Sequence, residues 1–472
     1  MEMPHGVKRD RDQRADSIAA AAPVAREPPD DAGGATLGAM PAARRLASPT
    51  PPPTPAYRRY VLALLVVVYT MNLLDRQILG ILVPQITAEL GLSDGQIGLM
   101  GGVAFAALYT TLGVPIAWLA DRSSRRRIIA YALGLWSAFT TLCGLAGSFW
   151  QLFLARVGVG IGEAGGVAPA YSMVSDYFPR EQRARALAVY SLGIPIGSAV
   201  GILFGGLIAS AIDWRAAFVI VGLVGLVIAP IFRFTVRDPA RGGADRRASA
   251  PAAPALRPAP FRAVASLLLA KPSFWLVSFG AGCASVCGYG LAFWLPSFFQ
   301  RSFELSLVDT ALFYSAITFV GGCLGIYGGG LLADRLGARS RSAYPRIPAA
   351  AFLIALPCFF AAVNTTNLVV GFVLFVIPTG LNLMWLGPVT TAVQHLVPAN
   401  MRTTASAMFL LINNLLGIAV GYYYFGAMSD LLRPTYGDES LRYAIYTGLG
   451  FYVIASLLFF IASRTLRSDW TD

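Results

Sequence analysis

Charged residues are scarce in this chain of 472 residues. Asp, Glu, Lys and Arg together make up 13% of it, 56% is hydrophobic, and the mean hydropathy is +0.60. A water-soluble domain has about 25% charged and about 45–50% apolar residues. The composition therefore excludes an ordinary soluble enzyme as well as a disordered chain, and it requires the apolar excess to face something other than water.

Lysine is almost missing, and its scarcity bears on whether the chain could be an ATP-driven pump. The only lysines are Lys8 and Lys271, and the residues that follow them are Arg9 and Pro272. The phosphate-binding loop of an ATP-driven pump ends in Lys-Ser or Lys-Thr. Because neither lysine has that neighbour, the chain does not contain such a loop.

Histidine and cysteine are too few to build a metal site. The histidines are His5 and His395, and all five cysteines lie inside apolar stretches. Cys283 and Cys287 share a helical face, but the chain offers no further ligands that would complete a metal site with them. We therefore expect these cysteines to be packing residues, and we expect no metal and no cofactor. An enzyme would need a nucleophile–base pair or a metal cluster. A membrane-embedded enzyme is therefore the remote alternative, and we expect no catalytic residues.

Long apolar stretches are abundant, and each is long enough to cross a bilayer. Twelve are predicted, six on each side of a Pro/Ala/Arg-rich linker at 237–262. Their bounds are about 58–86, 94–119, 128–147, 150–174, 184–211, 215–235, 273–299, 306–332, 346–363, 367–393, 403–429 and 441–464. The predicted fold class is an all-α membrane protein with two pseudo-symmetric six-helix bundles, at 57–236 and 263–466. A disordered tail is expected at 1–56 and a short tail at 467–472.

Arginines mark one side of the predicted membrane protein. With loops assigned alternately, the side of the tail and linker collects nearly all of them, and the opposite side has only Arg215, Arg301, Arg433 and Arg442. The positive-inside rule then places both termini in the cytoplasm. The net charge of +12 follows from this topology and does not indicate a nucleic-acid partner. We expect a monomer in the inner membrane of a bacterium, and we call the two sides the arginine-rich end and the opposite end.

The two halves repeat each other. Leu119–Arg122 after the second predicted span corresponds to Leu332–Arg335 after the eighth, and Pro84 corresponds to Pro296. Parallel repeats of six spans are a known plan of secondary transporters, which bind substrate near the midplane between the halves. This arrangement favours alternating access over the continuous pore of a channel.

These residues resemble the major facilitator superfamily over nearly all of 57–466. The stretch 117–127 is similar to the superfamily signature between spans two and three. It departs from that signature at Ala117 and Ser124, where glycines are usual, whereas the second copy keeps Gly330 and Gly337. The resemblance implies a transporter whose loop charges latch the halves together in one state. The residues assigned to this gating are Asp121, Arg122, Arg126, Arg183, Asp334, Arg335 and Arg402.

Three stretches look like the spinster-type lipid transporters. They are Asn72–Arg76 in the first span, Gly160–Pro169 in the fourth and Gly193–Ser198 in the fifth. This resemblance implies an amphipathic anionic substrate such as a lysophospholipid or a sphingoid phosphate. Anion:cation symporters share a similar Asn-x-x-Asp-Arg and a Glu-Ala pair, so a proton-coupled symporter of a small organic anion is the alternative.

Four ionisable residues lie inside predicted spans and away from their ends, all in the first half: Asp75, Arg76, Arg156 and Glu163. Ionisable groups at membrane depth are costly and usually functional. Arg156 and Glu163 are seven residues apart on one helical face, about 10.5 Å along the axis, close enough to share an anionic ligand or a water chain. Static pairs, Asp75 with Arg76 or Arg156 with Glu163, are the structural alternative.

The chemistry of these groups suggests their roles. Burial favours a neutral carboxyl and a nearby arginine favours a charged one, so Asp75 and Glu163 are the candidates for proton coupling. The repeat places Cys287 and Asn382 opposite them. Away from the ends of spans seven to twelve there is no Lys or Arg, which favours a lipid-like substrate. The residues predicted to bind substrate are Asn72, Arg76, Arg156, Tyr289, Asn382, Trp385 and Asn414.

Overall fold

The computed structural model describes residues 53–239, 260–337, 339–398 and 401–471. The predicted tail at 1–56 and linker at 237–262 lie largely outside these ranges. Within them the chain is helical, without a strand. The first half consists of α1 Pro55–Leu90, α2 Asp94–Gly98, a π-helix Leu99–Val103, α3 Ala104–Arg122, α4 Arg125–Cys143, α5 Phe149–Glu163, α6 Val167–Tyr177, α7 Arg180–Ser191, α8 Gly193–Ala211 and α9 Trp214–Thr235.

The second half begins with a short helix, α10 Phe261–Leu269, that the sequence pattern did not predict. It continues with α11 Pro272–Ser302, α12 Leu307–Gly337, α13 Ala343–Asn364, α14 Leu368–Leu383, α15 Leu386–Gln394, α16 Arg402–Asn414, a second π-helix Leu415–Val420, α17 Gly421–Tyr436, a 3-10 turn Gly437–Glu439 and α18 Ser440–Asp469. Each predicted span therefore coincides with one helix or with consecutive helices.

Local sequence signals set the helix ends. Gly91 closes α1 with φ +63°, a left-handed conformation that glycine adopts without a Cβ penalty. Ser93 then caps α2 by accepting a hydrogen bond from the Gln96 amide (3.2 Å), and Gln96 Oε1 accepts one from the Ser93 amide (2.9 Å). This reciprocal capping box turns the chain back into the membrane within three residues.

Nine helices within the described ranges are long and apolar enough to cross a membrane. The last of the nine, Thr404–Asp469, takes in both the eleventh and the twelfth predicted spans. The third and fourth predicted spans are not among them. α4 begins with three arginines, and the fourth span is divided into α5 of 15 and α6 of 11 residues. That twelve segments cross the bilayer stays a prediction.

The two halves are joined at the opposite end by a buried ion pair. Arg301 Nη1 and Nη2, at the end of α11, donate to both carboxylate oxygens of Asp94 at the start of α2 (2.6 and 2.7 Å). The Ser429 hydroxyl of α17 donates to Asp94 Oδ2 (2.8 Å). Asp94 is 0% exposed. We call Asp94, Arg301 and Ser429 the opposite-end latch.

Glycines let the halves approach closely beside this latch. A Cβ on Gly98 would lie 2.9 Å from the Tyr423 Cα, and one on Gly102 would lie 2.9 Å from the Ile418 carbonyl oxygen. Gly102 and Ile418 belong to the two π-helices, which face each other across the interface between the halves. Backbone packs on backbone here, so there is no room for a side chain or a substrate.

At the arginine-rich end the chain terminus is bound to the second half. Trp470 stacks on His395 with ring centroids 4.5 Å apart. Lys271 Nζ donates to the carbonyl oxygens of Leu396 and Asp469 (both 2.6 Å). These contacts hold the start of α11 to the ends of α15 and α18.

Candidate functional site

The four charged residues of the first half converge in the interior between α1 and α5. Asp75 and Arg76 lie in the middle of α1, Arg156 lies in α5, and Glu163 is the last residue of α5. Asp75 and Arg156 are each 1% exposed and Glu163 is 0% exposed. The Arg76 side chain is 12% exposed. We call these four residues the charge cluster, and Arg76 is the member with an accessible part.

The ion pairs of the charge cluster are crossed between the two helices. Arg76 Nε donates to Glu163 Oε2 at 2.8 Å, and Arg156 Nη1 lies 3.6 Å from Asp75 Oδ1. Neither pairing considered from the sequence, Asp75 with Arg76 or Arg156 with Glu163, is the one formed. Each helix supplies one cation and one carboxylate, so the local net charge is zero and every charge has a partner on the other helix.

Neighbouring side chains hold the cluster in place, and the sequence pattern did not single them out. The Thr140 hydroxyl of α4 donates to Asp75 Oδ2 (2.9 Å). The guanidinium of Arg76 lies over the rings of Phe105 and Tyr109, at 4.8 and 4.5 Å from their centroids. Phe105 also lies 5.5 Å from the guanidinium of Arg156. The available signal was an aromatic pair four residues apart in the second span, which places both rings on one helical face.

Several buried polar atoms of this region have no hydrogen-bond partner. They are both side-chain polar atoms of Asn72, Asp75 Oδ1, Nε and Nη1 of Arg156, and Glu163 Oε1. Asn72 is 2% exposed and lies one turn before the charge cluster on α1. An unpaired polar group costs about 1–3 kcal/mol when buried, more if charged. Groups left in this state are suited to bind water, a proton or a polar ligand.

The predicted wall of the second half contains no charge, and its members differ in exposure. Tyr289 is half-buried and packs against Gly417. A Cβ added to Gly417 would lie 2.8 Å from the tyrosine ring. Asn414 is half-buried and accepts a hydrogen bond from Asn413 (3.3 Å). Trp385 is 6% exposed and packs edge-on against Phe409, so it is a core residue more than a wall residue.

A tyrosine holds the second-half position that matches Glu163. The Tyr452 hydroxyl donates to Asn382 Oδ1 (3.0 Å). The repeat places Asn382 opposite Glu163, so a neutral hydroxyl binds this position in the second half where Arg76 binds Glu163 in the first.

The predicted gating residues are distributed along the arginine-rich end. Arg122 lies over the Trp118 ring (3.9 Å), and its Nη1 donates to the Trp118 carbonyl oxygen (3.3 Å). Arg126 donates to the Val236 carbonyl oxygen (3.1 Å), and Arg183 to that of Ser175 (2.8 Å).

The second-half members of this set are less enclosed. Asp334 and Arg335 are exposed, and Arg402 is half-buried. The side chain of Asp121 lies outside the described part of the chain. In that part no ion pair joins Arg122, Asp334 or Arg335 to another residue. The latch described above therefore has no counterpart among these three residues.

Comparison with known proteins gives a consistent picture. Residues 65–422 match the family model described as Major Facilitator Superfamily. The chain is 34% identical over 406 residues to an "MFS-type efflux pump" of Mycolicibacterium smegmatis, covering 86% of this chain and 92% of that protein. It is 28% identical over 407 residues to "Protein spinster homolog 1" of Homo sapiens, covering 82% and 76%.

Two solved structures are similar over most of the fold. Both are crystal structures of a bacterial homolog to the human lysosomal transporter Spinster, one described as inward-facing and unoccupied and the other as inward-facing and occupied. The unoccupied structure has a TM-score of 0.81 at 32% identity, and the two chains overlap over 89% of this one and 99% of that one. The occupied structure has a TM-score of 0.76 at 31% identity.

Proposed function

The chain belongs to the major facilitator superfamily as a spinster-like membrane transporter, and from this premise we propose that it is a proton-coupled secondary transporter of an amphipathic anion. The observation that carries the proposal is the crossed charge cluster, in which a partly accessible Arg76 is bonded to the buried Glu163. The proposed localisation is the bacterial inner membrane, and the proposed working unit is a monomer.

Coupling follows from competition for Arg76. An anionic head group that binds this guanidinium competes with Glu163, and Glu163 would then be a buried carboxylate without its counter-charge. Such a group is very unfavourable in a low-dielectric interior and is neutralised by taking up a proton. Conversely, a proton on Glu163 frees Arg76 for the anion. Asp75 and Arg156, paired more loosely at 3.6 Å, provide a second position for the proton.

The proposed substrate class is an anionic lipid such as a lysophospholipid or a sphingoid phosphate. The predicted substrate-binding wall of the second half, with Tyr289, Asn382 and Asn414, is neutral and partly aromatic, which suits the apolar part of an amphiphile. One relative is named an efflux pump, which supports transport of a substrate across the membrane. A small organic anion is the alternative, because a single accessible arginine also suffices for one carboxylate.

The test is uptake into proteoliposomes with an imposed pH gradient and a labelled lysophospholipid. Wild type should show gradient-driven flux, and Glu163→Gln should retain only exchange that is independent of the gradient. Glu304→Gln is the matched control, because Glu304 is an exposed carboxylate away from the charge cluster. This control should behave as wild type.

Other outcomes of the same experiment would change the proposal. If wild type ignores the lipid but a labelled carboxylate accumulates with the gradient, the small-anion alternative replaces the lipid. If lipid flux is indifferent to pH and Glu163→Gln equals wild type, Glu163 is structural and the proton mechanism is wrong.

A further inference from the structure

An apolar groove lies between α12, α13 and α14 at the arginine-rich end, apart from the charge cluster. It encloses about 440 Å³. Its apolar lining includes Leu332, Leu336, Ala350, Ile354, Leu381 and Met384. Ile354 is 54% exposed, and Leu332 and Leu336 are 37% and 39% exposed. The groove is therefore open at the surface of the helix bundle.

The α13 wall of this groove faces away from the other half of the protein. α13 packs against α12, α14 and α18, all helices of its own half. The described protein leaves parts of the Leu332 and Ile354 side chains uncovered, and at membrane depth the molecules that cover such surface are lipid chains.

Two arginines stand at the mouth of the groove. Arg339 and Arg346 both line it and both are exposed, and Ser340 lies between them. Arg346 Nε donates to Ser463 of α18 (3.4 Å), which directs this side chain along the rim. Within the described ranges no carboxylate forms an ion pair with either guanidinium. The rim therefore carries two cations that have no anionic partner among the described residues.

We propose that this groove is a binding site for an anionic membrane phospholipid, distinct from the transported cargo. Its phosphate binds Arg339 and Arg346, and an acyl chain lies along the apolar floor towards Ile354. Guanidinium groups are the preferred protein partners of phosphate because they donate two parallel hydrogen bonds. Basic pockets between membrane helices on the cytoplasmic side are suited to anionic head groups, and the arginine-rich end is the predicted cytoplasmic side.

The charge requirement is tested on the purified full chain in detergent by titrating phosphatidylglycerol and phosphatidylcholine and counting bound lipid by native mass spectrometry. The double variant Arg339→Ala/Arg346→Ala should bind phosphatidylglycerol at least tenfold more weakly than wild type. Arg127→Ala/Arg185→Ala is the matched control, since it removes two exposed arginines at the same end of the first half. This control should retain the wild-type affinity.

The acyl-chain requirement is tested by Ala350→Trp. Ala350 is an exposed residue of the groove lining, so a tryptophan there fills part of the groove while both arginines stay in place. It should also weaken phosphatidylglycerol binding at least tenfold, and free glycerol phosphate should not compete with the lipid. Should the double arginine variant not fold, Arg339→Gln alone is expected to weaken binding severalfold.

Three results would overturn the proposal. They are equal binding of phosphatidylcholine and phosphatidylglycerol, wild-type affinity in folded arginine variants, or wild-type affinity in Ala350→Trp. Because the readout is bound lipid and not flux, these results are independent of whether the transport proposal holds.

Discussion

Asp94→Asn should loosen the opposite end of the protein. The change keeps the shape of the side chain but removes the charge that Arg301 binds through two hydrogen bonds, at 2.6 and 2.7 Å. Removing one partner of a buried ion pair costs about 3–5 kcal/mol. Because the Arg301 side chain is 18% exposed and water can solvate it in part, we expect the lower limit, about 3 kcal/mol. At about 1.4 kcal/mol per tenfold change, this is a shift of about a hundredfold towards the open state.

Hydrogen exchange of two amides reports this opening directly. The amides of Asp94 and Gly95 donate to Oδ1 and Oδ2 of Asp430 (3.1 and 2.7 Å), so each bond joins the first half to the second. When closing is fast compared with exchange, the exchange rate follows the free energy of opening. Exchange of the peptide that spans 92–98, corrected for its intrinsic rate, should become about a hundredfold faster in Asp94→Asn.

The matched control is Glu439→Gln at the same end of the molecule. Glu439 Oε2 pairs with Arg442 Nε at 2.8 Å, but both residues lie in the second half and their side chains are 40% and 28% exposed. Exposed pairs contribute about 0–1 kcal/mol, so exchange at 92–98 should change less than about fivefold. Equal exchange in wild type and Asp94→Asn, or equal acceleration in both variants, would show that the latch does not hold the halves together.

Two further substitutions test the interior. Thr140→Val removes the donor to the buried Asp75 and should lower the free energy of unfolding by about 1–3 kcal/mol, measured by thermal denaturation in detergent. Thr140→Ser keeps the hydroxyl and should retain stability. An equal loss of stability in both variants would argue against the hydrogen bond. Gly102→Val places a side chain 2.9 Å from the Ile418 carbonyl oxygen and should destabilise the closed opposite end by about 1–3 kcal/mol, seen as faster exchange at 92–98. Gly113→Val, where a Cβ meets nothing within 4 Å, should leave that exchange unchanged.

The positions of the helices could be predicted from the sequence because the bilayer imposes one requirement on each of them. A span must be apolar over the width of the membrane, and the chain must turn where Gly91 and Ser93 permit it. Glu163 could be selected as a candidate for the same reason, since a charge at that depth is costly, and the structure places it fully buried and paired with Arg76. These inferences depend on the local sequence and on the solvent alone.

The partners of these residues could not be predicted, because pairing depends on the rotation and depth of helices that meet only in the fold. Arg76 and Glu163 are 87 residues apart, and Asp94 and Arg301 are 207 residues apart. Spacing along one helix relates Arg156 to Glu163 but says nothing about a second helix packed beside it. One feature of the sequence pointed to the latch, because Arg301 is among the few arginines of the opposite end.

The crossed pairing constrains how such a protein can move. Sliding α1 past α5 would separate Arg76 from Glu163 and Arg156 from Asp75 together, leaving four buried charges without partners. Since breaking one buried pair already costs about 3–5 kcal/mol, the two helices must move as one body. Motion is then confined to the surface between the halves, where the latch and the bonds from the Asp94 and Gly95 amides to Asp430 close the opposite end. In the proposed mechanism a ligand arriving there meets the exposed part of Arg76, so that one ion pair is exchanged for substrate while the other keeps the helices together.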